Sequence, residues 1–131
     1  LVEAAERYIA RAGVAGDADT DALADIVAWV EADAAPTDRV LCHRDLLHAN
    51  ILAGDPVQFI DWEFASPGER WFDLASFADR QDFDRAQRDV MLNAYLGRAP
   101  REDDVERLAR NAQAFRALCQ LWELPAATSG S

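Results

Sequence analysis

His43-Arg44-Asp45-Leu46-Leu47-His48-Ala49-Asn50, closed by Ile60-Asp61-Trp62-Glu63, decides how this chain is to be read. It sets an Asp, an Asn five positions on, and a second Asp at the end of a short apolar run. Side-chain oxygens in this order suit two tasks. A carboxylate beside an alcohol orients the hydroxyl and takes its proton. A carboxylate with an amide holds Mg²⁺, which asks for only one or two protein oxygens and fills its shell with phosphates and water. Asp45 is the candidate for the first task, Asn50 and Asp61 for the second. Together these are the parts of a phosphoryl-transfer site.

The flanking sequence presents those residues on strand ends and tight loops. Arg39 to Cys42 reads as a short strand leading into His43. Ile51-Leu52, then Ala53-Gly54-Asp55-Pro56, then Val57 to Ile60 reads as a hairpin, apolar segment, turn, apolar segment. The hairpin folds the chain back, so that Asp61 returns toward Asn50. A purely structural reading has Asp45 and Asn50 capping turns and Asp61 ending a strand. A lone His-x-Asp would not exclude it; the whole ordered set argues against it.

Further out, the chain is helical. Leu1 to Ala12 carries apolar residues at helical spacing and is ended by Gly13 and Gly16. Thr20 to Ala34 is a second amphipathic helix, with Thr20 or Asp21 as its cap, Ile26, Val27, Trp29 and Val30 on its apolar side, and Pro36 as its stop. Ser66-Pro67-Gly68 reads as a turn, and a helix begins at Arg70 and runs through Phe77. Asp84 to Leu96 and Arg101 to Leu124 follow, separated by Gly97 and Pro100. The longer one lines up Val105, Leu108, Ala112, Phe115, Leu118 and Leu121 or Trp122 on one face. Ala126 to Ser131 reads as a frayed tail. Helices, one hairpin, then helices give a mainly α fold with a small β element (α+β), not the alternation of a doubly wound sheet.

Composition sets limits. At 131 residues the chain is one domain or part of one, and its 50% hydrophobic content supplies a core. Its net charge of -11 repels nucleic acid and anionic membrane. A cationic small substrate is compatible with it, although many acidic chains are acidic for solubility alone. No apolar run reaches the ~20 residues of a membrane span, and no secretion signal opens the chain. Cys42 and Cys119 have no metal or disulfide framework spacing and read as buried reduced thiols, which fits a cytoplasmic setting. The start at Leu1, inside a helical pattern, suggests a piece of a longer chain.

The segment from Leu41 to Ala75 resembles the choline, ethanolamine, thiamine and aminoglycoside kinases, which share the protein-kinase-like fold. The resemblance implies that Asp45 is the catalytic base, that Asn50 and Asp61 hold Mg²⁺, that ATP is the donor, and that the acceptor is a small alcohol, often cationic. Ile60-Asp61-Trp62-Glu63-Phe64-Ala65 is closer to the choline and thiamine branch. Arg70-Trp71-Phe72-Asp73-Leu74-Ala75 follows almost at once, with no room for the activation segment of a protein kinase. His43 and Asp73 are expected to support the catalytic loop, and Arg44 to make a salt bridge, either at the surface or bracing the loop. Glu63 is a candidate for contact with the metal's surroundings or the substrate, or for holding a backbone amide. Trp122 is a candidate for the substrate; Trp62, Trp71 and Phe72 read as packing. No role is carried onto His48.

The chain contains no lysine, and its six glycines form no phosphate-covering loop. Kinases of this fold carry both on an N-terminal sheet lobe. The expectation is therefore a kinase C-terminal lobe over residues 1–131, without that sheet lobe. Two other readings stay open: an aminoglycoside phosphotransferase, and a non-catalytic kinase-like binding module.

Overall fold

The computed structural model describes residues 1–32 and 38–127. Its order is α1 (Val2–Ala12), α2 (Ala18–Ala32), β1 (Arg39–Cys42), a 3-10 turn (His48–Asn50), β2 (Ile51–Leu52), β3 (Gln58–Phe59), β4 (Ser66–Glu69), α3 (Trp71–Arg80), α4 (Arg85–Leu96) and α5 (Glu102–Glu123). The fold is mainly helical with a small β part, as expected, but that part is two small antiparallel ribbons where one hairpin was expected. The chain divides into two compact units, one of residues 36–112, the other of residues 1–35 with 113–131.

In the first unit, β1 pairs with β4 and β2 with β3. The β1–β4 ribbon corrects the turn expected at Ser66-Pro67-Gly68: these residues are extended, with Leu41 opposite Pro67 and Cys42 opposite Ser66. Proline is tolerated because each strand of a two-stranded ribbon keeps one open edge, where no N–H is needed. The β2–β3 hairpin is present but pairs only Ile51 with Phe59 and Leu52 with Gln58, so Val57 and Ile60 fall outside it.

The helices around these ribbons start and stop for local reasons. Helix α4 is opened by Asp84, whose side chain accepts from the Gln87 amide at 2.8 Å while Gln87 Oε1 accepts from the Asp84 amide at 2.9 Å. This reciprocal capping box satisfies amides that lack intrahelical partners. Gly97, at φ 70°, ends α4 in the left-handed region that glycine enters without penalty. At the start of α5, the Asp104 carboxylate accepts from the Arg101 amide at 2.8 Å and from Arg98 Nη1 at 2.7 Å. The Arg98 hydrogen bond, followed by the Arg101 amide, holds its carboxyl below the usual carboxylate range. Trp71, Ala75, Leu92, Leu108 and Ala112 form the core of this unit, with Leu74, Met91, Leu96 and Val105 packed against them. Burying a side chain such as Leu92 removes enough apolar surface from water to stabilise the fold by about 1.5–3 kcal/mol.

In the second unit α1 packs on α2. Gly13 ends α1 at φ 66°. The N-terminal amine pairs with Glu31. Helix α2 starts earlier than expected: Asp17, not Thr20 or Asp21, is the capping side chain, accepting from the Thr20 amide at 3.0 Å. Thr20 is buried one turn inside, and Val27 and Val30 are buried, whereas Trp29 is half exposed. The expected continuation through Ala34 and the stop at Pro36 lie outside the described residues. Along α5, Phe115, Leu118 and Leu121 are buried and Trp122 is exposed, so Leu121 completes the apolar face. The amide of Ala127 donates to the carbonyl of Arg11 at 2.9 Å; the rest of the expected frayed tail lies outside the described residues.

Candidate active site

The segment that carries the Asp45 and Asn50 motif begins where β1 buries Cys42. Burial, reinforced by the nearby Asp73 carboxylate, pushes the Cys42 thiol up to about 11, so it stays protonated and is no nucleophile. The backbone then turns through Arg44 at φ 75°, a conformation that costs a non-glycine residue of order 1–3 kcal/mol. Asp73, in the first turn of α3, holds it there. Its two carboxylate oxygens accept from the His43 amide at 2.7 Å and the Arg44 amide at 3.0 Å. Charge-assisted bonds of this kind are about twice as strong as neutral ones.

The His43 ring is buried and links the two halves of the motif. Its Nδ1 accepts from the Asp45 amide at 3.1 Å. The ring proton therefore sits on Nε2, which donates to the Ile60 carbonyl at 2.7 Å. Trp62 covers the ring, with centroids 4.7 Å apart, and its indole N–H donates to the Phe59 carbonyl at 2.9 Å. Trp62 thus packs on the loop while remaining half exposed.

The carbonyl of Asp45 accepts from the Leu47 amide at 2.9 Å and from Asn50 Nδ2 at 2.8 Å. The Asn50 carbonyl in turn accepts from the Ile60 amide at 2.9 Å. Asp61 is therefore the residue after a backbone bond to Asn50, and it too has positive φ, 63°. Asn50 is buried with its amide nitrogen committed to the Asp45 carbonyl, so Oδ1 is the atom it has left to offer. Among the described residues no three His, Cys, Asp or Glu side chains cluster as a metal cage. An Asn–Asp pair of this kind suits a cation that shares its shell with phosphates.

Arg44 braces the loop from outside. Its Nε donates to Ser66 Oγ at 3.1 Å, its Nη2 donates to the Pro67 carbonyl at 2.9 Å, and its guanidinium lies 4.8 Å from the Phe72 ring centre. This brace explains the glycine at position 68: a Cβ there would stand 2.2 Å from Arg44 Nη2. His48 opens the 3-10 turn and is exposed, and Glu63 is exposed beyond Asp61. Trp122 belongs to the other unit. There it meets Tyr8 edge-on at 5.2 Å and carries the Arg11 guanidinium 4.9 Å from its ring centre.

One residue of this site was missed by sequence reasoning. Arg80, the last residue of α3, donates from Nη1 to Asp45 Oδ1 at 3.1 Å. Its signal was helical spacing: Asp73 and Arg80 are two turns apart and share a helix face.

Residues 2–110 match the model of the phosphotransferase enzyme family, and the chain belongs to that family. It is 39% identical over 54 residues to the Protein LicA homolog of Metamycoplasma hominis, covering 40% of this chain and 22% of that protein. It is 29% identical over 87 residues to Protein LicA of Haemophilus influenzae, covering 63% of this chain and 33% of that protein. The fold matches a crystal structure of a choline/ethanolamine kinase family protein from Mesorhizobium loti, with a TM-score of 0.77 and 24% identity, over 93% of this chain and 44% of that one. The chain thus has the fold of a kinase-like C-terminal lobe and spans less than half the length of these relatives.

Proposed function

We propose that this chain is the catalytic lobe of an ATP- and Mg²⁺-dependent phosphotransferase whose acceptor is the hydroxyl of a small cationic metabolite of the choline, ethanolamine or thiamine type. The observation that carries the reading is the closed path Asp45–His43–Ile60 and Asp45–Asn50–Ile60, whose hydrogen bonds of 2.7–3.1 Å tie the candidate base to Asn50 and to Ile60, the residue before Asp61. Asp45 receives the acceptor hydroxyl and its proton. Asn50 Oδ1 and the Asp61 carboxylate would hold Mg²⁺, which when bound neutralises charge on the transferring phosphoryl group. His43 and Asp73 keep the loop in its strained conformation, so that no reorganisation is needed at the moment of reaction. Glu63 sits beyond Asp61 as a candidate contact to the substrate or the metal's surroundings.

The acidity of the chain, and the choline/ethanolamine kinase family to which the matched Mesorhizobium loti structure belongs, support a cationic acceptor. In this reading a cationic clamp for the nucleotide phosphates comes from a further lobe, because no lysine occurs in this chain. The test is ATP-dependent phosphate transfer by the longest natural form of the protein to choline, ethanolamine, thiamine and kanamycin. Transfer to one of the first three, reduced about 10²–10⁴-fold by Asp45→Ala without loss of fold, is the expected result. Transfer to kanamycin alone would replace the acceptor class. Transfer that survives Asp45→Ala would remove Asp45 from its role.

A further inference from the structure

We infer that Arg80 is a positioning residue for Asp45: it fixes one carboxylate oxygen so that the other is presented to the acceptor hydroxyl. The inference rests on the reading of Asp45 as the base, and deepens it. Three bonds already immobilise the Asp45 backbone. Its amide donates to His43 Nδ1, and its carbonyl accepts from Leu47 and from Asn50. The freedom left to this residue is rotation of its side chain. The Arg80 contact, 3.1 Å from Nη1 to Oδ1, acts on that remaining freedom and leaves Oδ2 for a hydroxyl.

The same helix performs both fixations. At its start, Asp73 accepts from the amides of His43 and Arg44; at its end, Arg80 reaches Asp45. Helix α3 is therefore a splint bound to the loop backbone at one end and to the reactive side chain at the other. Between and before these contacts the helix is anchored by Ala75 and by its first residue, Trp71, in the core. An ordinary exposed ion pair joins two flexible side chains and gains little, because both lose freedom on pairing. Here the Asp partner is pre-fixed up to its Cβ, so the pairing controls orientation at small entropic cost. The Arg80 charge also offsets that of Asp45. A cationic acceptor then has less reason to settle its ammonium, instead of its hydroxyl, on the base.

Two measurements test this. The first needs no turnover: the three-bond Hα–Hβ couplings of Asp45 by NMR in this chain. Wild type is expected to show one side-chain rotamer, Arg80→Gln rotamer averaging, and Arg80→Lys an intermediate pattern. An Asp45 side chain that stays in one rotamer in Arg80→Gln, or is already averaged in wild type, overturns the inference. The second is kinetic, in the longest natural form. Arg80→Gln is expected to lower kcat about 10–100-fold, the scale of a misplaced reacting group, while the KM of the acceptor stays within about twofold and Arg80→Lys recovers part of kcat. A raised KM with unchanged kcat would make Arg80 a binding residue instead. Absence of phosphate transfer by wild type to any acceptor overturns the proposed function alone. The couplings still decide whether Arg80 positions Asp45.

Discussion

The loop from His43 to Asp61 and the helical core of the same unit are held by opposite means. The core of Trp71, Ala75, Leu92, Leu108 and Ala112 is apolar and nearly dry. Its stability grows with buried area and has no directional requirement. The loop keeps large apolar side chains such as Phe59, Trp62 and Phe64 half exposed, and carries positive φ at Arg44 and Asp61. It is shaped by hydrogen bonds from single partners: Asp73 on two amides, His43 on an amide and a carbonyl, Asn50 on a carbonyl. A region held by area loses stability gradually when trimmed. A region held by a few directional bonds loses its geometry when one is removed, even though the fold survives.

The largest expected effect on stability tests the core side of that contrast. Trp71→Ala should cost about 3–5 kcal/mol in urea unfolding, the range for removing a large buried aromatic. The loss should appear in the transition of this unit, in which α3, α4 and the first half of α5 share one core. Asp73→Ala should cost less, about 2–4 kcal/mol, because it leaves the His43 and Arg44 amides without their acceptor. Its loss of phosphate transfer should exceed what its stability loss predicts, when both are measured at a temperature where the variant is folded. Equal losses on both scales would mean that loop and core are one cooperative structure, and the contrast would fail.

The smallest effect concerns neither region but the start of α5. The Asp104 carboxyl is lowered in the folded state, mainly by its bond from Arg98 and then by the Arg101 amide. A depressed carboxyl contributes stability above its unfolded value and loses it as pH falls through its folded value. The wild type should therefore lose melting temperature below the ordinary carboxylate range by more than Asp104→Asn does. Parallel acid profiles for the two proteins would show that this cap adds nothing to pH dependence.

The sequence made the fold legible where its information is local. The Asp45, Asn50, Asp61 order, the Gly54-Asp55-Pro56 turn and the helix from Asp84 to Leu96 can each be read from neighbours a few residues apart. Pairing across distance was not legible. Ser66-Pro67-Gly68 has the composition of a turn, and only its register against Leu41 and Cys42 makes it a strand. The Arg80–Asp45 contact joins positions 35 residues apart, and many surface arginines would have fitted the carboxylate equally well on paper. The cap of α2 was misplaced because Asp17, Thr20 and Asp21 are all good capping residues, and the start of the helix chooses among them. For the site, the sequence offered the residue types and their order; the tautomer of His43 and the committed nitrogen of Asn50 come only from the folded arrangement.

Gly68 has a consequence for how this lobe can change. Its backbone is extended, so any residue could adopt its conformation; what it provides is an absence of volume, filled by the Arg44 guanidinium. Positions 44 and 68 therefore behave as a lock and its keyhole. A side chain at 68 displaces the Arg44 guanidinium from Ser66 and Pro67, so it costs the brace while arginine stands at 44 and nothing once the arginine has gone. The easier order of change is 44 first and 68 second, and a variant library that samples each position alone would miss the substitutions at 68 that the loss of Arg44 permits.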